Sequence, residues 1–228
     1  MIEGSLPNQS RPPRGRKERA MDAQKAQTVL QALSALYPEA RAELHFTNPY
    51  ETLVATILSA QCTDRRVNQV TAKLFPRYPT VESMAALTPE ELEPQIRECG
   101  LYRNKAKNII AACRAIAQEH GGKVPSTRAE LMALPGVGQK TAGVVLLAAF
   151  GDDQIPVDTH VFRVSHRIGL ADATTPDGVE KQLQAILPRE EWSHAHHLLI
   201  WHGRRICHAR GPECDRCPLK AELCENGA

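Results

Sequence analysis

Four cysteines crowd one end of this 228-residue chain: Cys207, Cys214, Cys217 and Cys224, spaced C-x6-C-x2-C-x6-C. Thiols set this closely are metal ligands by type and spacing. Zinc ribbons usually present two C-x2-C knuckles. Here there is one, and Pro218 follows its second cysteine, a pairing also found in iron–sulfur proteins. On the cysteines alone, zinc and an iron–sulfur cluster both stay open. Cys62, Cys99 and Cys113 lie among apolar residues and read as buried packing thiols. An odd total of seven, four of them in the last 22 residues, argues against a secreted disulfide framework and for a reducing, cytoplasmic setting.

A second group is Leu134-Pro135-Gly136-Val137-Gly138-Gln139-Lys140-Thr141. Two glycines two apart, between helical patterns, allow a tight turn. The backbone N–H groups of Gly136, Val137 and Gly138, with the positive end of the following helix, then form an anion site that suits a phosphate. An ordinary helix–helix turn would use the same glycines. Lys140 falls in the first turn of that helix, where acids are usual. A cation there is electrostatically disfavoured, so the neutral, nucleophilic amine gains, and some burial would add to the effect. Asp158, in Pro156-Val157-Asp158-Thr159-His160, reads as an N-cap. A carboxylate held by helix N–H groups could also face an electron-poor sugar carbon.

The elements carrying these residues are helical almost throughout. Val29, Leu30, Leu33 and Leu36 follow helix spacing, as do Val67, Val70 and Leu74, and Ile109, Ile110, Cys113 and Ile116. Asn48-Pro49 opens a helix with Leu53, Val54, Ile57 and Leu58. Thr88 with Glu91, and Thr127 with Glu130, are capping boxes; Gly100 and Gly121-Gly122 are stop signals. No alternating strand pattern and no fixed-period repeat is present, so the fold class is all-α. The longest apolar run, Ala142–Phe150, is far below the ~20 residues of a membrane span. Residues 1–20 carry five bases against two acids with few apolar side chains, which predicts a disordered basic tail. From Trp192 to Gly211 there are Arg204, Arg205 and Arg210, five histidines and no acid. This predicts a local basic patch, with the histidines in ordinary core or surface roles.

Together these motifs closely resemble the endonuclease III family of helix–hairpin–helix DNA glycosylases. Leu58-Ser59-Ala60-Gln61-Cys62-Thr63-Asp64 and Gly100-Leu101-Tyr102-Arg103-Asn104-Lys105-Ala106 agree as well, and the resemblance covers about residues 23–225. It implies two helical lobes with DNA in the cleft between them. One is a six-helix lobe at 42–152; the other combines 21–41 with 153–228. It implies Lys140 as the Schiff-base nucleophile and Asp158 as the catalytic carboxylate. Gln61 and Leu101 would fill and wedge the duplex where a nucleotide is extruded, and Arg210 would reach a phosphate. The four C-terminal cysteines would hold one [4Fe–4S] cluster. Four thiolates and a 2+ core would bring the formal +2 to about zero, so attraction to DNA must be local. The implied activity is excision of oxidised pyrimidines from duplex DNA with β-elimination at the abasic site, by a cytoplasmic monomer with no membrane partner.

Two departures from the family pattern stand out. The last cysteine interval is six residues where five is familiar, and Gln139 occupies a position often basic. A related adenine-specific mismatch glycosylase shares the scaffold but lacks the lysine, and would be expected to continue beyond the short stretch after Cys224. A non-catalytic DNA-binding or redox module is the remaining alternative.

Overall fold

The structure is a computed structural model that describes residues 22–220 and 222–225; the segment expected to be a basic tail lies outside the described residues. Among the described residues there are eleven α-helices and three short 3-10 turns, and no strand, as the periodicity predicts. The helices are α1 (Ala23–Leu36), α2 (Pro49–Ser59), α3 (Asp64–Leu74), α4 (Val81–Ala85), α5 (Pro89–Ile96) and α6 (Tyr102–Glu119). They continue with α7 (Arg128–Ala133), α8 (Gln139–Phe150), α9 (Thr159–Ile168), α10 (Pro176–Ile186) and α11 (Trp192–Arg205).

Short polar signals start these helices. The Asn48 side chain accepts from the Glu51 N–H at 2.9 Å with Pro49 in the first turn, and Oγ1 of Thr127 accepts from the Glu130 N–H at 3.3 Å. The Glu91 carboxylate accepts from the Thr88 N–H at 2.8 Å, the backward half of a capping box. At the other end, α6 stops at Gly121 and Gly122, both in the left-handed region.

Buried apolar residues form two groups. One runs from Tyr50 to Leu146 and packs α2 through α8; Leu53, Leu58, Met84, Leu92, Ile109 and Ile116 are among its fully buried members. The other joins Ala26, Val29, Leu30 and Leu33 of α1 to side chains between Ile155 and Leu219. Each fully buried leucine or isoleucine contributes about 1.5–3 kcal/mol. The range 42–152 holds seven α-helices, one of them the five-residue α4, and one 3-10 turn, Arg97–Cys99.

Polar ties join the two groups. Arg128 of α7 pairs with Glu180 of α10 at 3.0 Å, Arg189 with Asp152 at 2.9 Å, and Arg204 of α11 with Asp64 of α3 at 2.8 Å. Gly143 of α8 lies so close to Pro156 that an added Cβ would meet the proline ring at 3.0 Å. The segment leading to Asp158 is thereby pressed against the helix that carries Lys140.

Candidate active site and cysteine-lined cavity

The Leu134–Gln139 turn connects α7 to α8 with the backbone the glycines allow. Gly136 has φ +77°, and a Cβ there would strike Asn108 at 2.7 Å, so glycine is required twice over. Gly138 is the N-cap of α8 and makes no side-chain cap, so the first N–H groups of α8 have no side chain covering them. Lys140 is the second residue of that helix and is exposed. The expectation of burial at Lys140 is therefore corrected: the first turn projects from the fold, while Ala142, Gly143, Val145 and Leu146 make the buried contacts of α8.

Asp158 caps α9. Its Oδ1 accepts from the His160 and Val161 N–H groups, both at 2.8 Å, which leaves Oδ2 outside the cap. Lys140 and Asp158 line the same cavity, of about 740 Å³. They come from different elements, one at the start of a helix that follows a hairpin and the other at a helix cap 18 residues later. Gln61, Cys62, His160 and Arg204 are also on its wall. Behind the pair lies His196 of α11, fully buried, with its Nδ1 and the Pro156 carbonyl oxygen 2.9 Å apart. Burial, and next the neighbouring His197, push His196 well below the ordinary histidine range; the Asp158 carboxylate opposes this and Lys140 reinforces it.

Gln61 and Leu101 are the two non-glycine residues with positive φ among those described, at +53° and +48°. Both are exposed, Leu101 by 55%. Neither conformation is readable from the sequence, because neither residue type favours the left-handed region. Gln139 is engaged rather than idle: its Oε1 accepts from Arg128 at 2.9 Å.

Two expectations about surrounding residues are corrected. The patch from Trp192 to Gly211 is not free positive surface. Arg204 pairs with Glu43 and with Asp64, and Arg205 pairs with Glu43 at 3.6 Å and stacks 3.5 Å over Trp201. The acids come from the far end of the sequence, which a local reading cannot see. Arg210 is exposed with no ion-pair partner among the described residues. Cys99 and Cys113 are buried as expected, whereas Cys62 is only partly buried and opens onto the large cavity.

Cys207, Cys214, Cys217 and Cys224 line one separate cavity of about 210 Å³, and all are free thiols. A single zinc ion would draw its sulfurs to about 2.3 Å from one centre. Four free thiols around one cavity are a donor set for a metal ion or an iron–sulfur cluster. Partners around them are in place: Arg167 donates to the Cys207 sulfur at 3.4 Å and to the His208 carbonyl at 2.7 Å, and His202 Nε2 lies 3.6 Å from the Cys217 sulfur. Arg163 of α9, five residues after Asp158, donates to the Cys207 carbonyl at 3.1 Å and so links the Asp158 helix to this loop. Arg163, Arg167 and His196 were not singled out as site residues; an arginine stripe one turn apart on the Asp158 helix was the available signal.

The family model described as HhH-GPD superfamily base excision DNA repair protein matches residues 54–189. The chain is 47% identical over 209 residues to endonuclease III of Synechocystis sp., covering 91% of this chain and 95% of that protein. It is 48% identical over 201 residues to endonuclease III of Bacillus subtilis, with 87% and 90% covered. A solved trapped endonuclease III–DNA covalent intermediate, in an estranged-adenine complex, superimposes with a TM-score of 0.87 at 48% identity, covering 90% of this chain and 96% of that one.

Proposed function

Because this chain belongs to the HhH-GPD superfamily of base excision DNA repair proteins and, within it, to the endonuclease III family, we propose that its large groove binds double-stranded DNA around an extruded, oxidised pyrimidine nucleotide. The chain is a DNA glycosylase with AP lyase activity. What supports the assignment of roles is one observation: Lys140 and Asp158, brought from separate helix starts, share the wall of a single cavity.

In this reading the hairpin N–H groups of Gly136, Val137 and Gly138 hold a backbone phosphate without reading sequence. Gln61 enters the space left by the flipped nucleotide, and Leu101 wedges the opposite strand. Unstacking costs a few kcal/mol, less for a damaged base. The Lys140 Nζ lone pair forms a bond to C1′ of the sugar as the C1′–base bond breaks and the base leaves with the electron pair. Oδ2 of Asp158 stabilises positive charge at the sugar and takes up a proton from the attacking amine. Sugar ring opening gives an imine between Nζ and C1′. Loss of a C2′ proton then drives cleavage of the C3′–O bond, and the 3′-phosphate departs with that electron pair. Water finally hydrolyses the imine and returns the free lysine.

Cys207, Cys214, Cys217 and Cys224 hold one [4Fe–4S] cluster in this reading, and the fit of four free thiols around one cavity supports it. When bound, the cluster supplies a cross-link that folds the 207–224 loop and presents Arg210 toward phosphate. We read the chain as two lobes, 42–152 and 21–41 with 153–228, and as a monomer acting in the cytoplasm. No helix among the described residues is long and apolar enough to cross a membrane.

The test is a set of duplexes with single defined lesions, with base release and strand nicking measured separately. Oxidised pyrimidines are expected to be released and nicked in the same reaction. Release of adenine opposite a mismatched purine, without nicking, would replace the substrate assignment.

A further inference from the structure

Lys105, in the first turn of α6, is buried to 4% exposure, yet it faces no carboxylate. Its ammonium donates to the Leu58 carbonyl at 2.9 Å and to the Cys99 carbonyl at 2.8 Å. A buried ammonium is expensive unless its protons are taken up, so these partners define what the residue does. Leu58 is in the last turn of α2, three residues before Gln61. Cys99 closes the 3-10 turn Arg97–Cys99, two residues before Leu101. Both are carbonyls at the negative end of a helical segment, where a cation is favoured and where the intrahelical partners have run out.

Those two segments end in the two left-handed non-glycine residues found among the described residues, Gln61 and Leu101. Left-handed backbone is uphill for both, and it persists only where surrounding structure holds it. The two loops are thus tied below their exposed tips through one ammonium.

We propose that Lys105 is a positioning residue that sets the spacing of the Gln61 and Leu101 loops, so that both enter a duplex as one rigid pair. This rests on the roles given to Gln61 and Leu101 above. Lys105 touches no DNA; it acts through the backbone of the two loops. The role should therefore matter where a base pair must be opened and should matter far less where the sugar is already accessible.

The test compares the holoenzyme with Lys105→Met and the milder Lys105→Gln, which keeps an amide donor. Each is given a damaged base in duplex DNA and an abasic site in a single strand. Relative to the unmodified protein, the ratio of duplex to single-strand cleavage is expected to fall by about tenfold or more in Lys105→Met, with a smaller fall in Lys105→Gln. Adding Leu101→Ala to Lys105→Gln is expected to cost less than Leu101→Ala costs alone, because one device is being lost twice. Equal losses on both substrates, or strict additivity with Leu101→Ala, would overturn the proposal while the unmodified enzyme stays active on duplex. An unmodified protein inactive on both substrates would instead bring down the glycosylase reading and this inference with it. If Lys105→Met does not fold, the ratio and the additivity of Lys105→Gln decide alone.

Discussion

Lys140 is exposed at the first turn of its helix, and Asp158 spends one carboxylate oxygen on two backbone N–H groups. Structure and chemistry can therefore be separated at Asp158. Asparagine caps a helix about as well as aspartate, so Asp158→Asn should change thermal stability little. The charge beside the sugar is lost, and single-turnover base release should fall by about a hundredfold or more. A large drop in melting temperature with an unaltered rate would reverse that division. His196 makes a different prediction. Its native pKa is depressed by burial, so the unfolded chain binds a proton that the folded chain refuses. Its contribution is intact above the ordinary histidine value and is lost as pH falls below it, at about 1.4 kcal/mol per pH unit. Urea unfolding of the loaded protein at stepped pH should show stability declining below about pH 6.5; burial also pushes His197 and His202 down, so they share the decline and His196→Asn should make it shallower without abolishing it. That Lys140 starts a helix, that Asp158 caps one and that four cysteines cluster were legible in the sequence, because each has a local signature of type and spacing. His196 was not, since its meaning comes from the Pro156 carbonyl and from side chains 38 and 56 positions away.

The helix starts were the most readable elements. Asn48, Thr127 and Asp158 each cap where their side-chain chemistry predicts. The left-handed conformations of Gln61 and Leu101 were not readable, because neither residue type favours that region. Beneath them the Lys105 ammonium donates to the Leu58 and Cys99 carbonyls, one in each segment that leads to these residues. The basic stretch of α11 misled for a related reason: its acid partners, Glu43 and Asp64, belong to elements that precede it by more than a hundred residues. The hairpin between α7 and α8 is where geometry and binding meet. Gly136→Ala puts a Cβ into Asn108 at a positive φ, and should cost about 1–2 kcal/mol of stability. It should weaken binding to duplex carrying an uncleavable abasic analogue as well. Unfolding curves and a fluorescence titration read the two effects, and undiminished affinity would show that the hairpin does not hold the phosphate.

Two apolar cores joined by arginine–carboxylate ties leave a groove with Lys140 and Asp158 on its wall, while a cysteine-lined cavity lies at the far end of α9. Arg163 and Arg167, on the helix that Asp158 caps, bond to the loop after Cys207, so the order of that loop and the placement of Asp158 are linked. Elemental analysis should find about four iron atoms per chain and no stoichiometric zinc. Stripping the metal should loosen residues 207–224 and lower duplex affinity. Stoichiometric zinc would refute the cluster. Periodicity alone could not give the two-core arrangement, because α1 joins its core across more than a hundred residues of intervening chain; the expectation of two lobes came from the family resemblance.

The most direct test of the reacting pair is borohydride reduction during incubation with duplex DNA containing an abasic site, followed by peptide mapping of the cross-link. One covalent protein–DNA adduct on Lys140 is expected, absent from Lys140→Gln. An adduct mapped to another lysine, or no adduct from a protein that still cleaves the DNA, would remove Lys140 as the nucleophile.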